Sequence, residues 1–263
     1  MGEGHTMFVR IATEMMVLAA FYANPANSAS DQDAQATGMC RSIGPVDYPT
    51  SKLRISTHTA FARDHYPTRI EEFARTPLGC GDIVMLGDSL TERHDWNGSL
   101  KANAIVHNRG IAGDTTDGVL VRLDEVIAAQ PRAVFIMIGT NDLWSANSAK
   151  RAVGNIEKII ATVIGGSPRT RIFVQTVLPI RSEPMRNIKV RDINAKLREV
   201  ASSQGAVLID TYSMAVDGNG LLKAEFTEDG VHLTAAGYAA WAALLNAALA
   251  EERGVLVGNE AQN

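Results

Sequence analysis

Short apolar runs alternate along this chain with longer stretches in which apolar residues recur every three or four positions. The runs are Ile83-Val84-Met85-Leu86, Ala104-Ile105-Val106-His107, Ala133-Val134-Phe135-Ile136-Met137-Ile138, Arg171 to Leu178, and Ala206-Val207-Leu208-Ile209. They are near-continuous and do not alternate with polar residues, which predicts five strands buried on both faces. Helical spacing fills the gaps. Val119, Leu120, Leu123, Val126 and Ile127 share one helical face, with Asp114 or Thr115 as N-cap. Helices are also predicted over 148–164, 186–203 and 235–251. In the last of these Tyr238, Trp241, Leu244, Leu245 and Leu249 form the stripe, and Thr234 is the cap. Residues 53–76 read as a helical lead-in, broken near Pro67. Strands alternating with helices predict an α/β fold: a parallel sheet covered on both sides. In such sheets ligands sit beyond the carboxyl ends of the strands, so chemistry is to be sought just after each run.

Composition narrows the function class. The 263 residues are 46% apolar and 21% charged, enough apolar material for a sizeable core. The net charge is -4 and no Lys/Arg block occurs, which argues against a nucleic-acid partner. No solenoid repeat is visible, and no apolar stretch in the body is long enough for an integral membrane span. The N-terminus differs from the body. Met7-Phe8-Val9-Arg10 leads into an apolar run from Ile11 to Ala23, interrupted by Glu14. Small residues follow in Asn24-Pro25-Ala26-Asn27-Ser28-Ala29 and Ala34-Gln35-Ala36. This is the layout of a secretory signal, so export to a periplasm or medium is the expectation; a cytoplasmic chain with a surface helix is the alternative. The two cysteines, Cys40 and Cys80, could pair in an oxidising compartment or stand as two unrelated thiols, and they are too few for a zinc cluster. The expected organisation is a leader over 1–36, an extension and helical lead-in over 37–76, an α/β domain over 77–252, and a tail over 253–263.

The strand ends carry the candidate chemistry. After the first run comes Gly87-Asp88-Ser89-Leu90-Thr91-Glu92, which holds a serine hydroxyl on a tight turn at a helix start. A serine nucleophile needs a base. After the second run comes Asn108-Arg109-Gly110-Ile111-Ala112-Gly113-Asp114, where Gly113 lets a substrate approach the backbone closely. After the third comes Gly139-Thr140-Asn141-Asp142, which offers the Asn141 amide as a donor. Near the end, Asp229 and His232 lie three apart, a spacing that sets a carboxylate against an imidazole and frees the other ring nitrogen for the serine proton. Each feature also has a plain structural reading: a helix cap for Ser89, a turn for Gly113, a loop cap for Asn141, a surface residue for His232. Asp88 reads as bracing its turn, and Asp142 as a structural partner of Asn141. Arg109, Trp96 and Trp144 are candidates for shaping a pocket. The acidic residues Asp88 and Glu92 in the first loop disfavour phosphate there. Two metal-ligand types without a nearby third disfavour a metal, and the absence of G-x-S-x-G disfavours an α/β-hydrolase proper.

Taken together, the segments GDSL (87–90), NRGIAGD (108–114), GTND (139–142) and DGVHL (229–233) resemble the four blocks of the SGNH (GDSL) hydrolases. Ser89, Gly113, Asn141 and His232 match one block each, and Asp229 matches the acid partner. The stretch IAGDTTDGVLVRLDEV and the lead-in look most like the platelet-activating-factor acetylhydrolase-like branch. The resemblance implies a three-layer α/β/α, flavodoxin-like fold with a five-stranded parallel sheet. It implies a serine esterase taking short acyl groups, acetyl above all, from small esters, sugars or lipids, with no metal or organic cofactor. The implied catalytic residues are Ser89, Asp229 and His232, and the implied oxyanion donors are Ser89 N–H, Gly113 N–H and the Asn141 amide. Two alternatives stand beside this reading: an acyltransferase using the same residues, and a non-catalytic flavodoxin-like binding module.

Overall fold

The structure, a computed structural model, describes residues 55–144 and 149–260, with side chains as far as Glu251. The leader expected over 1–36 and Cys40, one of the two cysteines, lie outside the described residues.

Five strands form one sheet: β1 (Ile83–Gly87), β2 (Val106–Gly110), β3 (Ala133–Met137), β4 (Arg171–Gln175) and β5 (Val207–Ile209). Their order is β2-β1-β3-β4-β5, and every pairing is parallel, as the alternation of strands and helices implied. The chain builds outward from β1 to β2, then crosses back to β3 on the other side. That reversal opens a crevice above the carboxyl ends of β1 and β3, where ligands bind in folds of this order.

Two apolar layers hold the sheet between helices. Val84 and Leu86 of β1, Val134 and Ile136 of β3, and Ile172 and Val174 of β4 point to one side. There they meet Ile156, Ile159, Ile160 and Val163 of the helix Ala149–Gly166, and Val190, Ile193 and Leu197 of the helix Asn187–Gln204. Ile83, Met85, Phe135, Met137 and Phe173 point to the other side, against Trp96 and against Tyr238, Trp241, Leu245 and Leu249 of the helix Ala235–Glu260. Phe135 and Phe173 stack across β3 and β4 with ring centroids 4.4 Å apart. Each such side chain contributes roughly 1.5–3 kcal/mol on burial, so the sheet is a rigid base for whatever stands at its edge.

Three local expectations need correction. The lead-in is an unbroken helix, α1 (Ala60–Arg75), capped by Thr59, whose hydroxyl accepts from Ala62 N–H. Pro67 lies inside it but on the solvent side, where a carbonyl that loses its partner can bond to water. The helix expected around 119–127 is two short ones, Thr116–Leu120 and Asp124–Ala129. The break lets Arg122 turn inward, where its guanidinium donates to Asp114 Oδ2, Arg109 O and Gly87 O. Strand β2 starts two residues later than expected and runs into the Asn108-Arg109-Gly110 segment.

Candidate active site

Strand β1 ends at Gly87, and Ser89 is the first residue of the helical turn Ser89–Glu92 that follows. Asp88 caps that turn, with its Oδ1 accepting from Leu90 N–H at 3.0 Å. The Tyr238 hydroxyl donates to Leu90 O (2.9 Å), and Trp96 Nε1 donates to Thr91 O (2.7 Å), so two aromatic side chains of the core pin the turn. Ser89 Oγ lies 3.0 Å from His232 Nε2.

His232 sits on a loop closed by the bridge between Thr227 and Leu233. Its Nδ1 is 2.6 Å from Asp229 Oδ2. The other carboxylate oxygen, Oδ1, accepts from the backbone N–H groups of Val231 (2.9 Å) and His232 (2.8 Å). Partial burial pushes the Asp229 carboxyl up, but the His232 side chain and these two N–H groups outweigh it and hold it well below the usual carboxylate range. A carboxylate only accepts, so Nδ1 carries the hydrogen and Nε2 is left to accept from the Ser89 hydroxyl. The loop is tied to the segment after β4, because Arg181 N–H (2.8 Å) and Ser182 N–H (3.3 Å) both donate to Gly230 O.

The other two sequence candidates follow the neighbouring strands. Register pairs Gly87 with Gly110 on one side and with Met137 on the other, so Ser89, Gly113 and Asn141 follow three adjacent strand ends. Gly113 has φ +80°, a conformation that favours glycine, and a Cβ there would lie 2.8 Å from Ala62 Cβ. Asn141 Nδ2 donates to Asp114 O at 2.9 Å, which uses one amide hydrogen and leaves the second. Asp142 is buried and braces the helix Thr116–Leu120 by accepting from Thr116 N–H (3.0 Å) and the Thr116 hydroxyl (2.6 Å).

Two of the expected pocket residues do not line the site. Arg109 is buried in a forked ion pair with Glu125 (2.7 and 3.0 Å), its guanidinium 4.7 Å from the Phe73 ring centroid. Trp96 is buried against Trp241, ring centroids 4.7 Å apart. Trp144 is 38% exposed, donates to Glu183 Oε1 at 3.0 Å, and lies under the Arg186 guanidinium at 4.5 Å. His58, Asp114 and Arg122 form a buried trio beside the Gly113 loop; sequence reasoning missed His58 and Arg122 and read Asp114 only as a helix cap. Among the described residues, no group of three or more His, Cys, Asp or Glu is arranged to hold a metal ion.

The model of the GDSL-like lipase/acylhydrolase family matches residues 85–240 of the chain. Human platelet-activating factor acetylhydrolase IB subunit alpha2 is 31% identical over 168 residues, which cover 60% of this chain and 71% of that protein. The alpha1 subunit from Pongo abelii is 29% identical over 187 residues, 66% of this chain and 79% of that one. Among solved structures, a GDSL-like lipase from Bacteroides thetaiotaomicron VPI-5482 matches with a TM-score of 0.61 at 27% identity. The match covers 73% of this chain and 99% of that one.

Proposed function

This chain belongs to the GDSL-like lipase/acylhydrolase family and is a carboxylic ester hydrolase; on that premise we propose that it removes short acyl groups, acetyl above all, through an acyl-enzyme on Ser89. Family membership sets aside the binding-module alternative. The observation that carries the mechanism is the continuous chain from Ser89 Oγ to His232 Nε2 (3.0 Å) and from His232 Nδ1 to Asp229 Oδ2 (2.6 Å). In this reading His232 takes the Ser89 proton as Oγ attacks the ester carbonyl carbon. The tetrahedral oxyanion forms against Ser89 N–H, Gly113 N–H and the second amide hydrogen of Asn141. His232 then gives its proton to the departing alkoxide, and the alcohol leaves. Water, deprotonated by His232, attacks the acyl-serine, and the free acid departs with Ser89 restored.

The acetyl preference is supported by the curated relatives, which are named acetylhydrolases. The natural substrate in this reading is a small acylated sugar or lipid. The test is hydrolysis of p-nitrophenyl esters from acetate to decanoate, with a fluorophosphonate label read by mass spectrometry. We expect kcat/KM to peak at acetate or propionate and the label to sit on Ser89. A profile that climbs toward decanoate sinks the short-acyl reading, and a label elsewhere sinks the nucleophile.

Asn141→Ala removes one oxyanion donor. The expected loss is roughly 10²- to 10³-fold in kcat, with KM little changed, because the donor meets charge only as the tetrahedral state forms. A loss confined to KM would make Asn141 a substrate-binding residue instead.

A further inference from the structure

The segment ahead of the sheet reaches back over the loop that carries Gly113. Thr57 Oγ1 is 2.8 Å from Thr115 Oγ1, and the Tyr66 hydroxyl donates to Gly118 O at 3.2 Å. Arg69 donates through Nε (3.2 Å) and Nη2 (3.1 Å) to Gly110 O, and Ala62 packs against Gly113. At the centre His58 Nε2 lies 2.9 Å from Asp114 Oδ1, with both side chains almost fully buried. The same carboxylate accepts from Thr115 N–H at Oδ1 (2.9 Å) and from Arg122 Nε at Oδ2 (3.0 Å). A buried carboxylate wants every donor it can reach, and the three differ in origin: one from its own loop, one from the helix break, one from outside the sheet domain's first strand. Gly118 makes the contact possible, since a Cβ there would fall 1.7 Å from Asp114 Oδ1 and 2.6 Å from His58 Nε2.

Asp114 occupies a particular point in the proposed oxyanion site. Its N–H donates to Ile111 O (3.0 Å) and so closes the turn around Gly113, while its C=O receives the Asn141 amide (2.9 Å). One residue therefore orients the peptide beside Gly113 and the side chain of Asn141. We infer that His58 is a positioning residue for the oxyanion donors: by holding the Asp114 carboxylate it fixes the Gly113 turn and the Asn141 amide together. It reaches the donors through Asp114, and its ring also packs against Tyr66, centroids 5.4 Å apart. The inference rests on Ser89, Gly113 and Asn141 forming the site proposed above.

Loss of the His58 donor leaves Asp114 Oδ1 short of a partner in a water-poor spot, and the carboxylate must turn or admit water. A shift of tenths of an ångström in the Asp114 peptide misaims both donors at once. Misplacement on the ångström scale costs about 100-fold in rate, so a kcat loss of about 10- to 100-fold is expected for His58→Ala.

The experiment is a double-mutant cycle on the full chain, with p-nitrophenyl acetate as substrate and every variant assayed well below its Tm. The variants are His58→Ala, His58→Gln, Asn141→Ala and His58→Ala/Asn141→Ala. We expect His58→Ala to lower kcat with KM and the pH profile of kcat/KM unchanged, because His232 and Asp229 stand on a different loop. His58→Gln retains an amide donor and should recover a large part of the loss. In the Asn141→Ala background the His58→Ala loss should shrink well below its value in the parent, since one of the two donors it positions is already gone. A full, undiminished loss in that background overturns the inference, as does a kcat that stays at the parent level. Failure of the underlying site reading looks different: Ser89→Ala would then retain activity, whatever His58 does.

Discussion

Ser89→Ala and His232→Ala are each expected to lower kcat by about 10⁴- to 10⁶-fold, and the double variant by no more than either alone. In the proposed mechanism Ser89 Oγ and His232 Nε2, 3.0 Å apart, act as one unit, because a hydroxyl without its base and a base without its hydroxyl are equally idle. What survives is the contribution of binding and of the oxyanion donors. Asp229 obeys a different logic. Its Oδ1 takes two backbone N–H groups, from Val231 and His232, and its Oδ2 faces the ring nitrogen Nδ1. In Asp229→Asn the carbonyl oxygen must stay on those N–H donors, which turns the NH₂ toward Nδ1. The imidazole then carries its hydrogen on Nε2, the wrong tautomer to accept from Ser89. In Asp229→Ala water enters at the half-exposed place of the carboxylate, and the imidazole chooses its tautomer freely. We therefore expect Asp229→Asn to lose more activity than Asp229→Ala, with a ceiling of about 10⁴-fold. Steady-state kinetics on p-nitrophenyl acetate, with active-site titration of the parent, decide it. Multiplying losses for Ser89 and His232 would dissolve the unit, and a milder Asp229→Asn would remove the tautomer argument.

The parts of this molecule that were legible in sequence are the ones whose physics is local. β1 and β3 could be read because burial on both faces writes an uninterrupted apolar run, and glycine marks the end of β1. The candidate residues at the strand ends could be picked out because Ser89, Gly113 and Asn141 follow those runs within a few residues, and Asp229 and His232 are three apart on one loop. What was not legible depends on partners remote in sequence. Arg109 looked like a pocket residue because charged side chains are seldom buried unless paired, and its partner, Glu125, is sixteen positions on in a helix. Trp96 was ambiguous until Trp241 supplied its neighbour and Thr91 O its hydrogen-bond acceptor. The break at Arg122 leaves no mark on the apolar stripe of Val119, Leu123 and Val126, since it is driven by three inward acceptors rather than by a breaker residue. His58 acts across 56 positions on Asp114, and no periodicity reports such a contact.

Asp88→Asn is expected to stabilise the protein increasingly as pH rises from about 4 to 8, by up to roughly 4 kcal/mol relative to its effect at the acid end. Asp88 lies wholly inside the protein, between β1 and the nucleophile turn, and only Oδ1 is used, by Leu90 N–H. Oδ2 is buried with no hydrogen-bond partner among the described residues. Burial is the main force on this carboxyl and pushes it up to about 7. The neighbouring charges of Asp114 and Asp142 add to the rise, and the Leu90 N–H opposes it. The unfolded chain releases the same proton at about pH 3.9. Between these two values the folded state holds a proton that the unfolded state has lost, so stability falls as pH rises through that window and levels off above about 7. Asparagine keeps the oxygen that caps Leu90 and never ionises, so it removes the slope. Urea unfolding of parent and variant at pH 4.5, 6 and 8 reads this group together with the carboxylates that feel its charge, Asp114 and Asp142, because every uncoupled titration cancels in the difference. A difference that stays flat across the range would mean that Asp88 is ionised throughout, with a donor reaching Oδ2, and that the nucleophile turn carries a full buried charge beside Ser89.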